Sequence, residues 1–204
     1  DSITVKRVML VNKVSIVFFF SCIPFMIALF TIGLNELAIF VTTFFVFYAL
    51  PIYFNKKGLF LISKISLYLT IAFGTYVYAS ILGPSSGIQY VFLALIAFTF
   101  GIFNNDEWVY KICISASSLL CFFILYFSNF GFFYKVALSD GALNIMYITS
   151  LTEIFIILCF IILFYEQFSL HYKHNLQQIL NTYSLSEREG EVLVLVLNGK
   201  SNKI

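Results

Sequence analysis

The sequence predicts an all-α fold, a polytopic six-helix transmembrane bundle, and three observations carry that prediction. Apolar residues make up 61% of the 204-residue chain and charged residues 11%, with a mean hydropathy of +0.96, which sets it apart from ordinary soluble domains. No charge occurs from Val14 to Asn35, Leu37 to Asn55, Ile65 to Asn105 or Ile112 to Tyr134, and a helical span needs roughly 20 apolar residues. The runs are also too long for β-barrel strands and lack their alternation of polar and apolar residues.

Polar and turn residues divide the six-span domain, residues 1–165, into segments at roughly 14–34, 37–54, 59–82, 86–103, 109–130 and 143–165. The separators are "NE", "NKKG", "GPSSG", "NNDEW" and the longer "GFFYKVALSDG". Connections this short make neighbouring helices antiparallel. The first segment follows Lys6, Arg7 and Lys13 as a signal peptide would, but it lacks a small-x-small cleavage site and reads as a retained span. The chain opens on Asp1 instead of Met, so a few residues are expected to precede it. A cytoplasmic N-terminus puts Lys6, Arg7, Lys13, Lys56, Lys57, Lys64, Lys111 and Lys173 inside and leaves Lys135 outside, so the positive-inside rule gives cytoplasmic termini at both ends. Tyr53, Trp108, Tyr110 and Tyr165 fall near span ends, where amphipathic rings favour the interface.

Glu153 is the one acidic residue well inside a span. A charged, lipid-facing carboxylate there costs on the order of 3 kcal/mol, so it is expected to face the bundle. Thr149, one turn away, and Thr152 extend a polar stripe. Gln89 and Tyr90 open segment four, and Tyr68, Thr75, Tyr76 and Tyr78 mark segment three. Glu153, Thr149, Gln89, Tyr90 and Tyr76 are therefore the candidate ligand-binding residues, against the plainer account that such common aromatics simply pack. Lys64 does not suit Glu153 as a partner: its distance from the cytoplasmic end differs by roughly 10 Å at 1.5 Å per residue, and snorkelling would draw its ammonium further away. The small residues of "SASS", Ser115 to Ser118, are expected to permit close helix approach.

Catalysis finds no parts here. The spans contain no histidine, and the chain has no GxSxG, HExxH or phosphate-binding glycine loop, so an enzyme is not expected. Cys22, Cys113, Cys121 and Cys159 lie in apolar runs without CxxC spacing and read as small buried hydrophobes. His171 and His174 lack a third ligand, so neither a metal nor another cofactor is expected.

Beyond segment six, residues 166–182 form a helical linker in which Phe168, Tyr172, Leu176, Ile179 and Tyr183 approach a heptad seam, the pattern of a short coiled coil in a homodimer. Residues 183–204 change character. Ser186 and Glu189 make a capping box, a helix runs through "EREGEVLVLVLN", Gly199 suits its end, and Ser201 can cap a second helix. Helix, glycine turn and helix is the order of a helix-turn-helix.

The string "LSEREGEVLVLVLNGKSNKI" resembles the start of the LuxR-type DNA-binding domain, through Leu185, Ser186, Arg188, Glu189, Glu191, Val192, Leu193, Gly199, Ser201, Asn202, Lys203 and Ile204. Gly190 departs from the family's usual helix former, at a cost of roughly 1 kcal/mol in helix propensity. The resemblance implies a truncated four-helix domain whose third, DNA-reading helix lies beyond Ile204. It implies a membrane-bound one-component transcription regulator of the bacterial inner membrane, with DNA as the partner of the full-length parent and an unknown small or lipophilic ligand as signal. More loosely, the six-span part resembles sensor modules joined to histidine kinases or nucleotide cyclases. The competing expectation is a small transporter or channel with a cytoplasmic tail, against which stands the lack of a visible repeat between segments one to three and four to six.

Overall fold

The computed structural model describes residues 2–104, 106–131, 133, 136–183, 188, 189 and 192; side chains are described from Arg7, and past Leu163 only at Glu166, Arg188, Glu189 and Val192. Among the described residues every regular element is helical: α1 (Ser2–Thr31), α2 (Asn35–Lys56), α3 (Phe60–Leu82), α4 (Val91–Ile102), α5 (Trp108–Phe127) and α6 (Asp140–Tyr183). Two 3-10 turns, Pro84–Ser86 and Ile88–Tyr90, precede α4. Five of the helices are long and apolar enough to cross a membrane, and α4 is a shorter apolar helix, an arrangement compatible with a multi-pass membrane protein. The chain forms two compact units, Asp1–Ile161 and Ile162–Ile204. The packing below belongs to the first.

The outer faces of this unit are apolar. Phe20, Ile39, Val46, Leu69, Ile112, Leu120, Phe127, Ile148 and Phe155 are all exposed. A surface so continuously greasy is a liability in water and suits a lipid solvent. Inside, α2 buries one stripe, Ala38, Val41, Phe44, Tyr48, Pro51 and Asn55, at helical spacing. By contrast α3 is buried almost all round, from Ser63 to Leu82, and α4 hides Val91, Phe92, Ala94, Leu95 and Phe98. A helix apolar on every side belongs at the centre of a bundle. Helices α1, α2, α5 and α6 carry most of the exposed faces around it, with Leu69 and Phe73 of α3 and Leu93 and Phe100 of α4 also exposed.

The fourth segment, expected over 86–103, is shorter than a full span: after the turn Pro84–Ser86 and Gly87, at φ 73° and ψ −5°, it runs as a 3-10 turn, Ile88–Tyr90, and a helix of 12 residues, only about 18 Å long. Gly87 is doubly required, because a Cβ there would also meet the ring of Tyr147 at 2.7 Å. Irregular backbone at membrane depth is tolerated where protein surrounds it, and Ser86, Ile88, Gln89 and Val91 are all buried.

One end of the unit is tied together by polar groups. Lys64, 1% exposed, pairs with Glu107 at 2.6 Å. The same carboxylate oxygen accepts from the Asn104 backbone N–H at 2.7 Å, and the Arg7 guanidinium donates to Asn104 Oδ1 at 2.5 Å. Nearby, Asn55 donates to Asn12 at 2.7 Å, and Ser63 donates to the Pro51 carbonyl at 2.7 Å. The expectation of a snorkelling Lys64 is thereby corrected. Its ammonium stays inside because an acid from the α4–α5 connection meets it there.

These contacts fix direction. The start of α3 and the start of α5 lie together, so the chain crosses back between Leu82 and Glu107 despite the short α4. At the opposite end, the Val136 N–H donates to Ile81 O at 3.1 Å and Ser150 Oγ to Ser86 O at 3.1 Å. On α6, Ala142, Met146, Ser150, Ile157 and Ile161 are buried, a stripe facing the bundle.

Breaking the buried pair strands one charge in an apolar interior. Lys64→Met is expected to cost about 3 kcal/mol in unfolding free energy, read as a lowered unfolding midpoint in detergent micelles, with Lys56→Met as an exposed control near neutrality. Equal midpoints for both variants would remove the ion pair from the account.

Candidate functional site

A cavity of about 70 Å³ opens within the first unit, between α1, α2, α3, the turn before α4, and α6. Position in each helix explains its lining. Phe18, Ser21, Cys22 and Phe25 of α1 repeat at 3, 1 and 3 residues, one face of a helix. Val41, Phe44 and Tyr48 come from the buried stripe of α2, and Ile71, Gly74, Thr75 and Tyr78 from α3. Ile88 and Val91 close one side. Glu153 enters from α6, where it continues the inward stripe between Ser150 and Ile157.

The rings form a connected arc. Phe18 stacks on Tyr48 at 5.5 Å and 22°, Tyr48 lies 6.4 Å from Phe44, Phe44 6.1 Å from Tyr78, and Tyr78 meets Phe25 edge-on at 5.1 Å and 86°. Tyr78 donates its hydroxyl to the Leu37 carbonyl at 3.2 Å, which fixes its ring. Gly74 makes room for the arc, since a Cβ there would stand 2.9 Å from the edge of Phe44.

The polar groups of the cavity differ from many elsewhere in the unit, although outside it Ser15 Oγ, Ser115 Oγ and Gln89 Oε1 also lack a partner among the described residues. Tyr68 bonds Ser117 at 2.7 Å and Ser118 at 3.1 Å; Thr70, Ser80 and Thr99 each donate to the carbonyl one turn back. Ser21, Tyr48, Thr75 and Glu153 line the cavity, and none of them makes a hydrogen bond or ion pair with another described residue. In a medium without water each such group costs stability unless something else meets it. Four such groups, a carboxyl among them, share this one cavity.

Of the residues singled out from sequence, Glu153, Thr75 and Tyr78 come together here. Thr149 and Thr152 do not join the lining; both donate at 2.8 Å to the carbonyl four residues back on α6. Gln89 is buried beside the cavity but outside its lining, with Nε2 donating to Pro84 O at 2.8 Å and Oε1 without a partner among the described residues. Tyr90 is exposed and lies 6.4 Å from Phe122, and Tyr76 is half-buried outside the lining. Tyr68 is committed to the serines of "SASS", which therefore bond as well as permit approach. Phe18, Ser21, Cys22, Phe25, Phe44 and Tyr48 escaped sequence reasoning because nothing distinguishes them from other residues of apolar spans. The signal present was weak: Ser21 and Cys22 lie just before Pro24, a proline inside the continuous helix α1.

Among the described residues no group of three His, Cys, Asp or Glu side chains is placed to hold a metal ion. All four cysteines are free, Cys22 buried and Cys113 exposed. Of the motif residues, Arg188 and Glu189 are helical and exposed, whereas Ser186, Glu191, Gly199, Ser201, Asn202 and Lys203 lie outside the described residues, as do the side chains of the heptad positions and of both histidines. No family model, curated protein or solved structure matches the chain.

Unpartnered polar groups leave a thermodynamic trace. Tyr48→Phe and Thr75→Val remove hydroxyls that bond no described residue, and both variants are expected to be neutral or up to about 1 kcal/mol more stable, whereas Tyr68→Phe should cost about 1 kcal/mol. Unfolding midpoints in micelles give the comparison; a loss at Tyr48 or Thr75 matching that at Tyr68 would mean that their hydroxyls are structurally paired.

Proposed function

We propose that this chain is the sensing part of a membrane-bound one-component transcription regulator in a bacterial inner membrane. It takes up a small signal in the cavity beside Glu153 and acts through a LuxR-type DNA-binding domain that begins at residue 183. The observation that carries the reading is the uninterrupted helix α6, Asp140–Tyr183, which supplies the cavity's carboxyl at Glu153 and leads directly into "LSEREGEVLVLVLNGKSNKI". A ligand that contacts Glu153 acts on the same helix that precedes the domain, and a ligand shifts an equilibrium only through contacts that differ between two states. The heptad seam from Phe168 to Tyr183 supports a dimer, the form in which a helix-turn-helix reads paired half-sites.

Orientation follows the cations. Arg7, Lys13, Lys56, Lys57, Lys64 and Lys111 gather at the end of the bundle tied by Glu107, and that end is assigned to the cytoplasm. Cysteine introduced at Ser85 or Ser139 should react with an impermeant thiol reagent from outside, in a background with Cys22, Cys113, Cys121 and Cys159 replaced, and cysteine at Asn105 should not. The opposite labelling pattern would invert the topology.

The output has its own test. From Tyr183 to Ile204 the cations Arg188, Lys200 and Lys203 are balanced by Glu187, Glu189 and Glu191, so phosphate attraction is weak. The 204-residue chain is expected to give no sequence-specific shift of duplex DNA at physiological salt. Extended by about forty residues of its reading frame, enough for a recognition helix, it should bind two half-sites roughly one helical turn apart as a dimer. Failure of the extended protein to bind any DNA would overturn the regulator reading and favour a transporter.

A further inference from the structure

We propose that the ligand of the cavity is a small organic monocation, a protonated primary amine with a short apolar chain, held between Glu153 and the aromatic arc. The proposal rests on reading the bundle as a sensor and names the chemistry of what it senses. Charge comes first. The lining contains one carboxyl and no Lys, Arg or His, so an anionic ligand would meet repulsion from an ionised Glu153 and a neutral one would leave that charge without a counter-ion. An ammonium supplies the missing counter-charge, and its remaining N–H groups suit the unpartnered oxygens of Ser21, Tyr48 and Thr75.

The rings point the same way. Five aromatic side chains, Phe18, Tyr48, Phe44, Tyr78 and Phe25, contact one another in sequence around the cavity that the carboxyl enters. Aromatic faces carry negative charge density and attract a desolvated cation, and organic ammonium ions are bound this way in aromatic cages. A bare metal cation is a poor match, because hard ions require about six oxygen ligands at close range, and the lining offers one carboxyl, four hydroxyls, of which Tyr78's is bonded to Leu37 O, and mostly carbon. The space suits a short ligand: about 70 Å³ holds several water-sized spheres, room for a head group and a few carbons.

Gly74 is the specificity control built into the fold. The Phe44 ring lies so close to its Cα that an added methyl, 2.9 Å from Cε1, must push the ring aside. Phe44 lies at the centre of the arc, so Gly74→Ala reshapes the cage while leaving Glu153 in place.

The test uses the 204-residue chain in micelles, with n-butylammonium chloride as probe and 1-butanol, sodium butyrate and potassium chloride as controls. Binding is read from tyrosine fluorescence and from the unfolding midpoint. Butylammonium is expected to give a saturable response that weakens at least about tenfold in both Glu153→Gln and Gly74→Ala, as loss of a charged hydrogen bond or of ring contacts would produce; butanol and butyrate should give none. An equal response to butanol, full competition by potassium, or an unweakened response in Glu153→Gln would overturn the proposal. Should Glu153→Gln fail to fold, an undiminished response in Gly74→Ala would do so. Amine binding by a protein whose extended form never binds DNA would keep the ligand assignment and remove the regulator reading. Amine indifference in an extended protein whose DNA binding responds to another compound would do the reverse.

Discussion

An ammonium inside an apolar bundle must be met by an acid, and in this protein the acid comes from a connection, not from a facing helix. Lys64 sits one turn into α3, almost fully buried, and Glu107 reaches it from the residues just before α5. Two charges withdrawn from solvent are stable only while both remain and their other hydrogen bonds are satisfied. Glu107 meets that condition by also accepting from the Asn104 N–H, and Asn104 in turn accepts from Arg7 of α1. One carboxylate therefore holds together the starts of α1, α3 and α5. The close approach of those three helix starts depends on it.

With that end fixed, the rest of the first unit is free to be irregular. The segment from Pro84 to Tyr90 leaves regular α-helix, turning at Gly87. Its polar backbone is shielded because Ser150 and Tyr147 of α6 close over it. The packing of α6 against this turn also sets the depth of Glu153. Three residues past Ser150 on the same inward stripe, its carboxyl enters the space left between α1, α2 and α3.

The contrast between the two polar regions separates structure from function. At the Lys64 end, polar groups of the helices and of the connection before α5 meet at 2.5 to 2.7 Å. In the cavity, a carboxyl and three hydroxyls find no partner among the described residues. Polar groups in a lipid-solvated protein are costly, and a bundle that needed only to pack would replace them with alkyl groups. Their presence beside a ring-lined space is what supports the proposal of a ligand there.

Much of this was legible in the chain itself. Runs of uncharged residues long enough to cross a bilayer, punctuated by "NE", "NKKG" and "NNDEW", determined an all-helical antiparallel bundle, because such spans must satisfy their backbone within each helix. The isolation of Glu153 in its run marked it for the interior for the same energetic reason. The helical run from segment 143–165 through the linker 166–182 was also expected from the pattern of its residues, and the helix spans Asp140–Tyr183. What the chain did not disclose was partnership across long separations. Nothing local distinguishes Phe18, Phe44 or Tyr48 from the many other aromatics, nor Glu107 from a solvated loop acid, nor a full span over 86–103 from a 3-10 turn and a short helix. These were decided by tertiary structure, because a contact energy between residues dozens of positions apart depends on which faces the packed helices turn toward one another, and hydropathy along a uniformly apolar span carries almost no record of facing.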